Sequence, residues 1–224
     1  MSSNIQISIA AASAHRILGF QCAGRVLIIT VLLAFTGNAI AAREFGSGSD
    51  RFAGVGFFVR ANVDSGGEEL VSAKNEDQDV TSLNAGAGTL WEGGIRLNWR
   101  LLDRPAWETE LGIGIKNTER TTGNGSLSFQ RIVLSSTQFY RFKSGIRIGG
   151  GIAAHLSPTV EVSAATFQSE SQALDTAIGL SVMADYGIVR WASLGLRATS
   201  LSYGKDGSSI DASSVGAYIT FRYR

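Results

Sequence analysis

The sequence contains almost no cysteine and almost no net charge. Its 224 residues include one cysteine, Cys22, and the formal net charge at pH 7 is +1. A single cysteine excludes a disulfide framework and a cysteine-rich metal site. A balanced charge gives no support to nucleic-acid binding, which usually needs a clustered basic face. We therefore expect no cofactor, no metal site and no nucleic-acid partner.

The first 42 residues lack acidic side chains, and the whole chain lacks an apolar run long enough for a transmembrane helix, which needs about 20 residues. Arg25 precedes an apolar run at 26–35, and small residues follow that run. A basic start, a short apolar run and small residues describe a secretory signal peptide. The sequence therefore predicts a removed signal peptide at 1–42 and a flexible leader at 43–51. The Gly/Ser run at 46–49 belongs to that leader, since it lacks the Lys-Ser/Thr of a phosphate loop.

Alternating polar and apolar residues recur through the rest of the chain, residues 52–224. In the clearest segment, 106–116, apolar side chains at every second position alternate with Glu108, Glu110 and Lys116. Such period-2 alternation is typical of β-strands with two different faces. The pattern predicts eight strands, at residues 52–60, 89–99, 106–116, 129–142, 145–154, 174–186, 190–201 and 214–224.

The connections between these strands are alternately long and short. The long ones span 61–88, 117–128, 155–173 and 202–213, and the short ones span 100–105, 143–144 and 187–189. Outer-membrane barrels have long loops at one end and short turns at the other. A soluble barrel shows the same alternation with its charges in water, but glycines on the polar face and aromatic residues near the strand ends favour the membrane barrel. The predicted fold class is all-β, an eight-stranded antiparallel up-and-down transmembrane β-barrel.

The last predicted strand reads Ser213-Ser214-Val215-Gly216-Ala217-Tyr218-Ile219-Thr220-Phe221-Arg222-Tyr223. With the signal peptide and the eight strands, it resembles the small eight-stranded outer-membrane β-barrel proteins, the outer-membrane protein A-like barrel group. In this chain Arg224 follows the aromatic residue that normally ends such a barrel. The resemblance implies a bacterial outer-membrane location, contact with outer-membrane lipid and lipopolysaccharide, and insertion by the barrel assembly machinery through the C-terminal strand. We also expect a monomer.

A shorter stretch has a local likeness to the lipid A deacylase family. Residues 194–202 and the following Ile210-Asp211 are similar to that family's seventh strand and the loop after it. The likeness would make Ser202 the nucleophile and Asp211 the orienting acid, but Ser200 stands where the family has its histidine. A hydroxyl cannot act as the base that accepts the proton of a serine at neutral pH. We therefore expect no catalytic residues.

Two other polar groups have a plain and a functional interpretation. His155 and Ser157, with Glu161 nearby, could form a displaced triad, but a rim histidine beside a turn explains them better, because three such residues occur close together by chance. The acidic residues of the first long loop, Glu68-Glu69 and those at 76–79, could hold a divalent cation, but a solvated loop explains them better.

Charged residues share the polar face of the predicted strands. The interior of an eight-stranded barrel is filled by side chains, and charges buried there are costly unless they are paired. We therefore predict that acid–base pairs plug the lumen, with Glu108 and Glu110 facing Arg96 and Arg131 at the centre. The predicted lumen charge network consists of Glu92, Arg96, Glu108, Glu110, Arg131, Arg147, Arg197 and Arg222, and Lys116, Arg141 and Asp185 share its face.

The sequence therefore predicts an exported outer-membrane barrel that has a structural or surface-interaction role through its extracellular loops and no catalytic activity. Two alternatives stay open at this point. One is a narrow channel lined by the lumen charges, and the other is a deacylase-like envelope enzyme that lacks the usual histidine.

Overall fold

The computed structural model describes most of the chain from residue 52 onward. The described residues are 7–9, 52–74, 80–101, 104–122, 125–164, 167–205 and 207–223. The predicted leader lies outside them, and so does the predicted signal peptide apart from 7–9, a short strand that pairs with the backbone at 71–73. Within these ranges no helix has the length and the hydropathy needed to cross a membrane.

Period-2 alternation in the sequence becomes a series of antiparallel strands in the structure. The strands of the described residues are β1 (Ile7–Ile9), β2 (Phe52–Ser65), β3 (Glu69–Lys74), β4 (Val80–Asn84), β5 (Gly88–Leu101), β6 (Arg104–Thr122), β7 (Gly125–Arg141), β8 (Ile146–Ala164), β9 (Phe167–Ala173), β10 (Ala177–Val189), β11 (Ala192–Ser200), β12 (Ser202–Lys205), β13 (Ser208–Asp211) and β14 (Ser214–Tyr223).

Eight of these strands form a closed barrel. Around its wall, β2 is followed by β5, β6, β7, β8, β10, β11 and β14, and every neighbouring pair is antiparallel. β14 pairs with β2 over nine residues, from Val215–Ser65 to Tyr223–Phe57, and so closes the cylinder. The predicted all-β, eight-stranded antiparallel up-and-down barrel is confirmed.

The two ends of the barrel differ in their connections. The turn end carries the short connections from β5 to β6, from β7 to β8 and from β10 to β11. In the β7–β8 turn, Gly145 has a φ of 86° and its N–H donates to the Phe142 carbonyl at 3.1 Å, a backbone conformation that favours glycine. The loop end carries the longer connections, together with the tip of the β6–β7 hairpin.

The outer wall of the barrel is covered by large apolar side chains. Val182 is 61% exposed and Leu196 is 63% exposed, although both lie near the middle of strands. We call this surface the apolar belt. Its members on the eight strands include Val55, Phe57, Val59, Val63, Trp91, Ile95, Trp107, Ile113, Ile115, Ile132, Leu134, Ile146, Ile148, Leu180, Val182, Tyr186, Ile188, Leu194, Leu196, Val215 and Tyr223.

The strands extend further toward the loop end than the sequence predicted. The predicted loop at 117–128 is wrong, because β6 and β7 continue as a hairpin that is paired as far as Thr122 and Gly125. The predicted loop at 155–173 is also wrong, since β8 runs to Ala164 and pairs there with β9. Backbone hydrogen bonds do not require apolar side chains, so these extensions carry little of the alternation that identified the other strands.

The loop end has a hydrophobic core of its own. The β3–β4 hairpin and the β12–β13 hairpin lie within the predicted loops 61–88 and 202–213. Side chains from these connections pack against the parts of β7 and β8 that lie nearest the loop end. The loop-end core consists of Leu70, Val71, Leu83, Ala85, Leu127, Phe129, Val160, Leu174, Ala177, Leu201, Tyr203 and Ala212.

Candidate functional site: the lumen charge network

The strand alternation that exposes the apolar belt turns the charged side chains into the lumen. Of the predicted network, Glu108, Glu110, Arg131 and Arg147 are each 1% exposed. Glu92, Arg96, Arg197 and Arg222 are also buried, and so are Lys116 and Asp185. Arg141, at the turn end, is half-buried.

Arg147 on β8 is the hub of the half of the network nearer the turn end. Its Nη1 lies 2.6 Å from a carboxylate oxygen of Glu108 and 2.9 Å from one of Glu110. Its Nε and Nη2 donate to the two carboxylate oxygens of Asp185, at 2.9 and 2.6 Å. One guanidinium therefore joins β6, β8 and β10. Its carbon lies 4.3 Å from the centre of the Phe139 ring, which packs against it.

Asp185 collects further donors from the last two barrel strands. Arg222 donates to its Oδ1 at 3.1 Å and the Tyr218 hydroxyl donates to its Oδ2 at 2.9 Å. Arg222 also donates to the Ser193 hydroxyl at 2.5 Å. The carboxylate is therefore fully used inside the barrel, which is what a buried charge requires.

Arg60 on β2 links Glu110 of β6 to Glu92 of β5. It forms salt bridges with Glu110 and with Glu92, the latter at 2.9 Å, and its Nε donates to Thr220 at 3.0 Å. The second carboxylate oxygen of Glu92 accepts from the Ser135 hydroxyl. Arg60 is absent from the predicted network, although it lies on the inward face of β2.

The partners of the two central glutamates differ from those predicted. Arg96 is opposite Glu110 in the β5–β6 ladder, yet Glu110 bridges to Arg60 and Arg147, and Glu108 bridges to Arg141 and Arg147. Among the described residues, no carboxylate lies within salt-bridge distance of Arg96 or Arg131. Long side chains in a narrow lumen reach past the adjacent strand, so the ladder neighbour of Glu110, Arg96, is not its salt-bridge partner.

A second group of charges lies nearer the loop end, around Asp64. Oδ2 of Asp64 lies 2.6 Å from Lys116 Nζ and 2.7 Å from Arg197 Nη2, and Asn62 donates to Oδ1 at 2.6 Å. Asp64 is absent from the predicted network because it falls within the predicted loop at 61–88. The alternation of 60–64, polar at every second residue, was the signal that could have extended the strand.

Arg131 is held by backbone rather than by a carboxylate. Its Nη2 donates to the Ala87 carbonyl at 2.8 Å, and Lys116 donates to the neighbouring Gly86 carbonyl at 2.7 Å. The guanidinium also lies 4.1 Å from the centre of the Phe129 ring, a member of the loop-end core. The loop connection at 86–87 is thereby tied to the lumen charges.

His155 does not lie on a rim beside a turn, as the sequence predicted. It is 4% exposed, and its Nδ1 lies 2.6 Å from the Tyr203 hydroxyl. Ser157 and Glu161 are exposed on the continuing strand β8, so the structure does not assemble the displaced triad. Burial beside the loop-end core raises the pKa of Tyr203 to about 12.

The residues with a likeness to the deacylase site are also not arranged as a triad. Ser200 and Ser202 are both exposed, and Ser202 pairs with Asp211 only as a backbone partner in the β12–β13 hairpin. The Asp211 carboxylate accepts instead from the hydroxyl and the N–H of Ser213, at 2.6 and 2.9 Å. These hydrogen bonds lower the pKa of Asp211 and use the carboxylate in a local turn.

The acidic first loop is described in part. A carboxylate oxygen of Glu68 accepts from the Asp211 N–H at 2.9 Å, while the acidic residues at 76–79 lie outside the described residues. In the part of the chain that the structure describes, no group of three or more His, Cys, Asp or Glu side chains is placed to hold a metal ion.

No protein-family model matches the chain, and no curated protein matches it. Ail, the attachment invasion locus protein of Yersinia pestis, solved with the heparin analogue sucrose octasulfate, is 10% identical, over 75% of this chain and 97% of that chain, with a TM-score of 0.49. Outer membrane protein H of P. aeruginosa is 16% identical, over 75% and 99% of the two chains, with a TM-score of 0.46. Neisserial surface protein A is 13% identical, over 75% and 98%, with a TM-score of 0.43. By its own strand pairing the chain is a closed eight-stranded antiparallel β-barrel, and these small outer-membrane barrels are proteins to which it is similar.

Proposed function

We propose that this protein is an outer-membrane barrel with a structural or surface-interaction role at its loop end, and without a catalytic one. The observation that carries the proposal is the inverted distribution of side chains. Val182 and Leu196, near the middle of their strands, are more than 60% exposed on the wall, while Arg147 and Glu110 are 1% exposed inside. A soluble barrel places its charges in water, whereas a bilayer favours an apolar outer band around a polar interior.

The loop end would be the surface that meets other molecules. Connections that merely cover a barrel do not need a core of their own, yet here the hairpins β3–β4 and β12–β13 pack into the loop-end core. Buried contacts of this kind hold a surface in one shape, and a fixed surface loses less entropy when it binds a partner. In an outer membrane the turn end would then face the periplasm.

The lumen supports a plugged barrel. The salt bridges of Arg60, Arg147 and Asp64 join charged side chains from six of the eight strands, their own included. Breaking a buried ion pair by removing one partner costs roughly 3–5 kcal/mol. Opening a pathway through this network would therefore require a large free energy. We propose that the lumen does not conduct, that the protein is a monomer, and that β14 is the strand through which the barrel is assembled.

A narrow anion channel is the second candidate, and one observation favours it. Among the described side chains, the buried cations Arg60, Arg96, Lys116, Arg131, Arg147, Arg197 and Arg222 outnumber the five buried carboxylates. Conductance in planar bilayers separates the two candidates. Stable single-channel steps with anion selectivity would favour the channel, and a silent membrane with folded protein would favour the plug.

Cell fractionation tests the membrane assignment directly. The full chain is expressed with its own N-terminal segment, and the outer membrane is separated from the periplasm. We expect the protein in the outer-membrane fraction, with a band that migrates differently on gels before and after boiling. Recovery as a soluble periplasmic protein without detergent would overturn the proposal.

A further inference from the structure

Among the described side chains, the exposed charge of the turn end is positive. Lys143 in the β7–β8 turn and Arg190 in the β10–β11 turn are both exposed. The acidic residues described nearest this end, Glu108 and Asp185, are buried in the lumen. The β7–β8 and β10–β11 turns therefore each bring one exposed cation to this rim.

The exposed charge of the loop end has the opposite sign. Its exposed carboxylates among the described side chains are Glu68, Glu69, Glu119, Glu161, Asp175 and Asp211, and Arg120 is exposed beside them. The two ends of the barrel therefore differ in the sign of their exposed charge as well as in the length of their connections. The two ends would meet different surroundings.

The two described turns with exposed cations are neighbours at the rim. The Gly187 N–H, at the end of β10, donates to the Gly145 carbonyl of the β7–β8 turn at 3.2 Å. Trp191 is next to Arg190 and accepts, through its carbonyl, the Arg222 N–H at 2.8 Å. Lys143 and Arg190 therefore come from adjacent turns of one hydrogen-bonded rim.

Apolar and aromatic side chains lie directly beside these cations. Trp191 is 54% exposed and stacks on Phe221, with ring centres 5.9 Å apart. Tyr186 and Ile188, on the last residues of β10, are 56% and 59% exposed. Tryptophan and tyrosine favour the level of the lipid headgroups, with acyl chains on one side and water on the other. The cations therefore lie at the height of the phosphates.

We propose that the turn-end rim, defined by Lys143 and Arg190 with Trp191 next to Arg190, binds the phosphodiester of anionic phospholipids such as phosphatidylglycerol. The proposal rests on the proposed membrane function and deepens it. The acyl chains of a bound lipid would cover Ile188, while its headgroup phosphate would contact the cation. A cation at the edge of an apolar wall therefore favours an anionic lipid. Anionic lipid in one leaflet then holds the turn end in that leaflet, while the acidic loop end avoids bare phosphates.

Fluorescence quenching by brominated lipids measures this selectivity at each end of the same barrel. One variant keeps only Trp191 (Trp91→Phe, Trp99→Phe and Trp107→Phe), and a matched variant keeps only Trp91, which is 64% exposed near the loop end. Each is reconstituted into phosphatidylcholine vesicles that contain an equal fraction of brominated phosphatidylglycerol or brominated phosphatidylcholine. Electrostatic attraction to a rim cation gives about a fivefold preference for the anionic lipid at Trp191 and none at Trp91.

Two controls separate lipid binding from general electrostatics. The preference at Trp191 should fall toward unity in Lys143→Gln/Arg190→Gln and in 1 M sodium chloride, and inorganic phosphate at matched ionic strength should act no more strongly than chloride. Equal quenching of Trp191 by the two brominated lipids would overturn the proposal, and so would an equal preference at Trp91. Absence of any quenching at both positions would instead show that the barrel is not in the bilayer, which is the failure of the proposed function.

A second measurement keeps all four tryptophans in place, so it does not depend on the folding of the tryptophan variants. Native mass spectrometry of the full chain released from mixed vesicles should show retained phosphatidylglycerol, and Lys143→Gln/Arg190→Gln should retain several-fold less. Arg120→Gln, a change at the loop end, is the matched control and should retain as much as the unchanged chain. Equal retention by all three proteins would overturn the proposal.

Discussion

Arg147 and Asp185 are cross-strand partners on β8 and β10 and form a two-point salt bridge inside the lumen. Their atoms pair as Nε with Oδ1 at 2.9 Å and Nη2 with Oδ2 at 2.6 Å. The planar guanidinium matches both oxygens of the carboxylate, a fit that the single ammonium of lysine cannot reproduce. The remaining nitrogen, Nη1, reaches the two glutamates of β6.

Arg147→Lys should therefore destabilise the barrel even though it keeps the charge. Loss of the second contact to Asp185 and of one contact to the glutamates removes charged hydrogen bonds worth about 1.5–3 kcal/mol each. The free energy of unfolding, measured by urea titration in vesicles, would fall by at least one such contribution. Arg190→Lys at the exposed turn end is the matched control and should leave the free energy nearly unchanged; similar losses for both would contradict this role of Arg147.

Glu110→Ala should be more damaging than a change at a surface carboxylate. Removing Glu110 leaves Arg60 and Arg147 each with one carboxylate partner fewer, and breaking a buried pair costs about 3–5 kcal/mol. The unfolding temperature in detergent should drop far below that of Glu69→Ala, a change at an exposed carboxylate of β3. Small, equal effects would mean that water hydrates the lumen, and the channel would then replace the plug as the better explanation.

Tyr203→Phe tests whether the loop-end core is tied to the lumen. The change keeps the ring that meets Phe129 edge to face, with centres 5.7 Å apart, but it removes the hydroxyl 2.6 Å from His155. A buried partner left without its hydrogen bond costs about 1–3 kcal/mol. We expect that loss in the unfolding free energy, and greater access of protease to the β12–β13 hairpin. Tyr223→Phe, at an exposed ring of the turn end, should show neither effect.

Leu196→Arg tests the apolar belt independently of cell fractionation. An arginine on the lipid face near the middle of a bilayer costs about 2–4 kcal/mol, and the cost falls to about 0–1 near the interface. Leu196→Arg should therefore weaken folding into vesicles much more than Tyr223→Arg does at the end of the last strand. A soluble barrel would gain a solvated charge in both variants, so equal stability of the two would contradict the membrane assignment.

Period-2 alternation by itself determined the number of barrel strands and which side chains share a face. The residues predicted for the lumen face, from Glu92 to Arg222, are buried or half-buried, and the apolar residues that alternate with them form the belt. This information is local, because successive side chains of a strand point to opposite faces whatever the strand pairs with. Alternation could therefore divide the side chains into two faces before any pairing was known, and the glycines and aromatic residues then indicated which face is enclosed.

Tertiary structure alone decided which charges meet. Glu110 is beside Arg96 in the ladder but binds Arg60 and Arg147, which lie on β2 and β8, two strands away in either direction. That choice depends on closure of the barrel and on the stagger between its strands, which bring distant side chains to one height across a narrow lumen. The loop-end core was hidden for a similar reason: its members, such as Leu83 and Tyr203, are far apart in sequence and meet only when the barrel has closed beneath them.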